Sequence, residues 1–267
     1  MHTHTAYCDG KNTAEEMVQA AIKKGFTTLG FSGHCYVPQE QFGMDQHTLQ
    51  AYIAEVTRLK EKYKDRIDIL LGIELDNTAA PISLESFDYY IADIHAVYSE
   101  KTRQYYVVDD KREILLKALQ EGFDNNTQAM YHAYFAQYAA FVTSKKPLYA
   151  AHMDLICKLN GQNDIFDETA SSYQKEALSC LEKLAQARLP LEVNTGGIYR
   201  GYRKAPYPAK FLLEAWRQMQ GEVIIASDSH DADSIDFYFE EMQKYLKKIG
   251  YTYVLTATKQ GLVRQFL

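Results

Sequence analysis

The sequence predicts an α/β fold, a single barrel of about seven or eight parallel strands with its chemistry at the carboxyl ends of those strands. Two observations point there. Short β-branched or aromatic runs alternate with longer segments of helical period, the pattern of repeated βα units. Nearly every predicted strand also runs into a polar residue able to bind a metal ion. The length of 267 residues suits one such domain spanning 1–267.

The elements follow in order. Thr13 with Glu16 is a capping-box start, Met17, Ala20, Ala21 and Lys24 form one helical stripe, and Gly25 ends it. Residues 27–31 then read as a strand. A second helix carries Leu49, Ile53, Val56 and Leu59 at helical spacing and feeds a buried strand over 67–73. Further strands are expected near 89–94, 148–151, 189–193, 223–226 and 251–255, with helices between them and the longest helical region over 113–144. A doubly wound open sheet is the structural alternative, but it would place a ligand site at one switch point rather than around a ring of strand ends.

Composition narrows the function. An apolar share of 46% and a charged share of 24% are those of a globular chain that buries its core without disulfides. The net charge of -6 and the lack of a basic run argue against a general nucleic-acid binder and favour a small-molecule substrate. Cys8, Cys35, Cys157 and Cys180 form no CxxC pair and read as reduced thiols of a cytoplasmic protein. No apolar run approaches the roughly 20 residues that span a bilayer. The 21 tyrosines, clustered in part at Tyr89, Tyr90, Tyr105, Tyr106, Tyr131, Tyr134 and Tyr138, read mainly as packing residues. Oligomeric state is left open.

The chemical residues sit at the strand ends. His2 and His4 precede the first helix, His34 follows Gly33, Glu74 follows Ile73, His95 follows Ile94, His152 follows Ala151, and Asp228 and His230 follow Ser227. In a parallel barrel such positions converge on one face. The pairs His2/His4 and Asp228/His230 are each two residues apart, so both members point to one side of an extended chain. One histidine at a strand end is more often a hydrogen-bonded structural residue than a ligand, but here six of the eight histidines sit there. His47 and His132 fall inside helical patterns and take that structural reading. Asp93 and Asp154 could orient the rings of His95 and His152, or be plain solvated or capping residues. Imidazole and carboxylate donors without a thiolate suit Zn²⁺, Mn²⁺ or Fe²⁺, and Glu74, with two oxygens, is the natural bridge between neighbouring ions.

These motifs resemble those of the polymerase-and-histidinol-phosphatase (PHP) family. His2-Thr3-His4-Thr5 with Cys8-Asp9-Gly10 is similar to its first motif, and Gly33-His34, Gly72-Ile73-Glu74, Ile94-His95, Ala151-His152-Met153-Asp154 and Ser227-Asp228-Ser229-His230 follow in the family's order. The resemblance implies a distorted (β/α)7 barrel holding three divalent ions. His2, His4, Glu74 and Asp228 would hold one, Glu74, His95 and His152 a second, and Asp9, His34 and His230 the third. Glu74, Asp228 and His230 are the candidate catalytic residues. Two departures stand out: some members carry histidine where this chain has Asp9, and only Met1 precedes His2, leaving almost no first strand. The segment Leu191-Glu192-Val193-Asn194-Thr195-Gly196-Gly197 with Tyr199-Arg200, and the insertion holding Tyr105 and Tyr106, resemble the histidinol-phosphate phosphatase branch.

That branch implies hydrolysis of L-histidinol phosphate. A phosphate monoester is doubly charged and slow to react, and metal binding can lower the pKa of water from about 15.7 to roughly 7. In-line attack by a metal-bridging hydroxide is the expected mechanism. Arg200, carried over the metal face by a flexible turn after Gly196 and Gly197, and then Lys158, are the candidates for gripping phosphate oxygens. A nucleotide phosphodiesterase and a PHP-like binding module without chemistry are the rival readings; the second expects missing ligands, and here the set is complete.

Overall fold

A computed structural model describes residues 1–38, 42–161 and 163–267. The first helix, α1 (Ala14–Lys23), begins with the reciprocal Thr13/Glu16 capping box. It leads to β1 (Thr28–Phe31), and α2 (Gln46–Lys62), capped by the Asp45 side chain, leads to β2 (Asp68–Leu75). After β3 (Tyr89–Ala92) comes a hairpin of β4 (Ala96–Ser99) and β5 (Gln104–Val107). Helices α3 (Arg112–Phe123), α4 (Thr127–Lys145) and α5 (Ser171–Gln186) precede β6 (Leu191–Asn194) and the single turn α6 (Gly196–Tyr199). The chain then runs through α7 (Lys210–Gln218), β7 (Val223–Ala226), α8 (Phe239–Lys248), β8 (Tyr253–Thr258) and β9 (Gly261–Phe266).

Mixed α/β architecture is thus as expected, but the described residues form no closed barrel. Strands β1-β2-β3 make one parallel sheet, and β6-β7-β8-β9 make another, parallel except for the antiparallel β8–β9 pair. Between them are isolated bridges: Ala150 pairs with Ala92 and with Leu191, and Thr3 pairs with Ser229. The expected strand near 148–151 shrinks to this one bridging residue. Pro147, which has no N–H to donate, and His152, already on the site, bound it closely.

Alternation along the strands separates core from site. In β2, Ile69, Leu71 and Ile73 pack outward beneath the helices, while Leu70 joins Tyr89, Ile91, Tyr149, Ala151, Ile224 and Leu255 in an inner apolar layer. Gly72 and Glu74 continue the Leu70 face. A Cβ on Gly72 would lie 2.3 Å from the Tyr89 ring, so glycine makes room for it. The Tyr89 hydroxyl donates to the Phe31 carbonyl at 2.8 Å. The inner layer therefore forms an apolar floor, and the polar side chains stand above it.

Three further differences have local causes. The helical region over 113–144 is broken at Asp124 and Asn125, whose φ values of 52° and 59° are left-handed and tolerated best by Asn, Asp and Gly. The Asn126 side chain then caps α4. The β4–β5 hairpin was hidden in the tyrosine-rich insertion, and Tyr98 and Tyr105 face each other across it at 5.1 Å. Strand β9 is the third addition. Tyr134 and Tyr138 are fully buried, in keeping with a packing role. No helix among the described residues is long and apolar enough to cross a membrane.

Candidate metal centre

Glu74 lies at the middle of the polar layer. Its carboxylate is buried and comes within 3.1 Å of the His2 ring, 3.5 Å of His4, 2.9 Å of His34 and 3.0 Å of His152. Asp228 approaches the same two amino-terminal rings, 3.2 Å from His4 Nε2 and 3.5 Å from His2 Nε2. Its backbone is left-handed, with φ of 48°, an uncommon conformation for a non-glycine residue that aims the side chain into the site. Asp9 completes the outer edge, 3.1 Å from His230 Nε2 and 3.4 Å from His4 Nδ1.

All nine sequence-predicted ligand residues are therefore brought together, in four overlapping groups. His4, Asp9, His34 and His230 form one, and Glu74, Asp93, His95 and His152 another; His2, His4 and Glu74, and His2, His152 and Asp228, are the remaining two. Within each group the donor atoms lie within 4.8 Å of one another. The first group contains the expected third set with His4 added, and the second contains the expected second set with Asp93 added. Of the two aspartates left open between orienting and solvated or capping roles, Asp93 joins the group, 2.8 Å from His152 Nε2. Asp154 does not; it accepts the backbone N–H of Ala209 at 2.9 Å. His47 and His132 lie on the surface, the latter beside Glu176.

The donors fit divalent ions. The Nε2 atoms of His2 and His4, Oε2 of Glu74 and both oxygens of Asp93 are buried without a hydrogen-bond partner among the described residues, an arrangement a protein core tolerates poorly unless something else satisfies them. Electrostatics point the same way. Burial resists charge on His2, yet Glu192, Glu74 and Asp228 raise its pKa to about 9. Burial likewise resists charge on His95, but Asp93, Asp109 and Asp76 raise its pKa to about 10. Burial also opposes charge on Glu74, which the surrounding rings of His34, His2 and His152 hold well below the usual carboxylate range. A field that binds protons so firmly also attracts cations.

Two orienting carboxylates were not singled out from sequence. Glu192, fully buried, lies 2.7 Å from Nδ1 of His2 through one oxygen and accepts the His152 backbone N–H at 2.8 Å through the other. Asp76 lies 3.0 Å from Nδ1 of His95 and accepts its backbone N–H at 2.9 Å. Each leaves the Nε2 side of its ring for a ligand. Period-two alternation was the available signal: in Leu191-Glu192-Val193-Asn194 the apolar residues face the outer core, and Asp76 follows Gly72 and Glu74 at period two.

Arg200 and Lys158 both reach the cleft over the centre, whose volume is about 590 Å³. Arg200 is placed by the ordered turn α6 rather than by a flexible one. A Cβ on Gly196 would meet its guanidinium at 2.9 Å. The guanidinium donates to Asp228 Oδ2 at 2.8 Å and to the Asp228 carbonyl at 2.9 Å. Lys158 donates to Asp109 at 3.0 Å and lies over the Tyr202 ring. A larger cleft of about 730 Å³ opens at the amino-terminal ends of β6, β7 and β8, away from every candidate ligand.

The PHP domain family model matches residues 1–196, which carry all of these candidate ligands except Asp228 and His230. The chain belongs to the PHP domain family. A histidinol-phosphatase of Bacillus subtilis is 26% identical over 260 residues, covering 90% of this chain and 96% of that relative. A crystal structure of histidinol phosphate phosphatase from Lactococcus lactis subsp. lactis, complexed with zinc, L-histidinol and phosphate, superposes with a TM-score of 0.71 at 20% identity, covering 98% of this chain and 97% of that one. A DNA polymerase/3'-5' exonuclease of Bacillus subtilis matches over only 38% of this PHP chain, at 26% identity.

Proposed function

We propose that this PHP chain is a single-domain, metal-dependent phosphomonoesterase, spanning residues 1–267, that hydrolyses L-histidinol phosphate to L-histidinol and phosphate. The observation that carries the reading is Glu74, a buried carboxylate within reach of four histidine rings at the floor of an open cleft. The full-length likeness to histidinol-phosphatases supports the substrate. The architecture fits a distorted (β/α)7 barrel in which the Thr3–Ser229 and Ala150 bridges stand in for the first and fifth strands. A cytoplasmic biosynthetic enzyme is the matching setting.

The proposed centre takes three divalent ions, zinc, manganese or iron. His2, His4, Glu74 and Asp228 would hold one, Glu74, His95 and His152 with Asp93 the second, and Asp9, His34 and His230 the third. Bound there, the ions neutralise phosphate charge and make water a nucleophile near neutral pH. The protein contributes the geometry. Glu192 and Asp76 fix the His2 and His95 rings, and Arg200 holds Asp228 while presenting its remaining donors to phosphate oxygens. Lys158 supplies a second positive charge on the far side of the cleft.

Hydrolysis of a nucleotide diester is the second reading, favoured by the partial match to the exonuclease. The net charge of -6 weighs against it. The test is kcat/KM for histidinol phosphate, p-nitrophenyl phosphate, AMP and a nucleotide diester. Histidinol phosphate is expected to exceed the other monoesters by at least about tenfold, because binding energy from its non-reacting part can be used in the transition state. Equal values would leave a general phosphoesterase, and a preference for the diester would favour the second reading.

A further inference from the structure

We propose that Asp109 is the residue that recognises a substrate ammonium group, making the enzyme selective for phosphate esters that carry an amine close to the phosphate. This rests on the phosphomonoesterase reading above and adds a substrate feature to it. Asp109 lines the same cleft as the metal centre yet belongs to none of the ligand groups. It follows Val108, whose N–H donates to the His95 carbonyl at 2.9 Å, so the β4–β5 hairpin delivers it beside the centre. Only 9% of Asp109 is exposed.

Its one charged partner among the described residues is the Lys158 ammonium, 3.0 Å from Oδ2. The other oxygen, Oδ1, makes no hydrogen bond among the described residues, and Asp109 lines the cleft. A carboxylate so placed already accepts one ammonium, and its free oxygen can accept another.

Lys158 gives the site a reason to want that second ammonium. An arriving phosphate competes with Asp109 for the lysine charge, and a largely buried carboxylate left without a cation is costly. If the ester carries its own ammonium near the phosphate, that group takes the place of Lys158 on Asp109 while Lys158 turns to the phosphate. Every charge stays paired. An ester lacking the amine must forgo either the lysine or the pairing of Asp109.

The test compares two pairs of esters with the metal-loaded enzyme: histidinol phosphate with its deamino analogue, and 2-aminoethyl phosphate with ethyl phosphate. A charge-assisted hydrogen bond of the usual strength corresponds to roughly 10- to 100-fold in kcat/KM in favour of the amine. In Asp109→Asn that ratio should collapse toward one, chiefly by loss on the amine esters, with unchanged metal content. Asp109→Glu should keep part of the ratio. Equal loss on both members of each pair, or an undiminished ratio, overturns the proposal. If the amine preference depends on Asp109 in the small esters but histidinol phosphate gains nothing over 2-aminoethyl phosphate, the amine inference stands and the histidinol reading falls.

Discussion

The histidine-rich wall of the cleft is made at the ends of strands, whereas the opposite wall is carried by the β4–β5 hairpin, the turn after His152 and the stretch around Arg200 and Tyr202. On the first wall the candidate ligands are placed by their strand ends, and two of the rings, His2 and His95, are held again by the buried carboxylates of Glu192 and Asp76. On the second the pair of charges is Lys158 with Asp109, while Arg200 ties this wall to the first through Asp228. Rigid placement suits ions that need a set geometry, and exchangeable ion pairs suit a substrate that brings charges of its own. Activity should therefore be lost in different ways when the two walls are altered.

Glu74→Gln strikes the first wall where it serves the most rings. Bound metal should fall, and kcat on histidinol phosphate should drop on the order of a thousandfold or more, since the ions supply several kcal/mol of charge stabilisation. Near-normal turnover with full metal content would remove Glu74 from the centre. Arg200 lies between the walls. Arg200→Ala should lower kcat/KM by about 10- to 100-fold while metal content falls less than in the Glu74 variant, and Arg200→Lys should retain part of the activity. Unaltered kcat/KM in the alanine variant would place the phosphate clamp elsewhere. Glu192→Gln keeps the volume but weakens the hold on His2, so its metal affinity, measured by competition with a chelator, should weaken by roughly 10- to 100-fold. Unchanged affinity would make Glu192 a packing residue only.

The same division explains what could be read from the sequence. Candidate ligands at strand ends are legible because strand alternation and parallel topology fix their direction, and His2, His4, His34, Glu74, His95, His152 and Asp228 are brought together on one face as that reasoning expects. Asp93 and Glu192 obey the same period-two rule, but a lone carboxylate in an apolar run also fits a cap or a surface position. The second wall is legible only in part: Arg200 and Lys158 are named from sequence and line the cleft, whereas Asp109 is not. Asp109 comes to the cleft only because a hairpin turns back at residues 100–103, a long-range return that local pattern does not encode. Arg200 was expected on a flexible turn, and instead Asn194, accepting the Gly196 N–H at 2.9 Å, helps start an ordered one. Barrel closure fell short of expectation because the segments around Thr3 and Ala150 are too short to pair as strands.

Metal dependence is best examined on the unaltered protein. A chelator-stripped sample should release no phosphate from histidinol phosphate above background. Activity should return on adding zinc, manganese or iron and level off once bound ions per chain stop rising. Full hydrolysis of histidinol phosphate by protein shown to be free of metal would contradict a reaction built around Glu74 and its histidines.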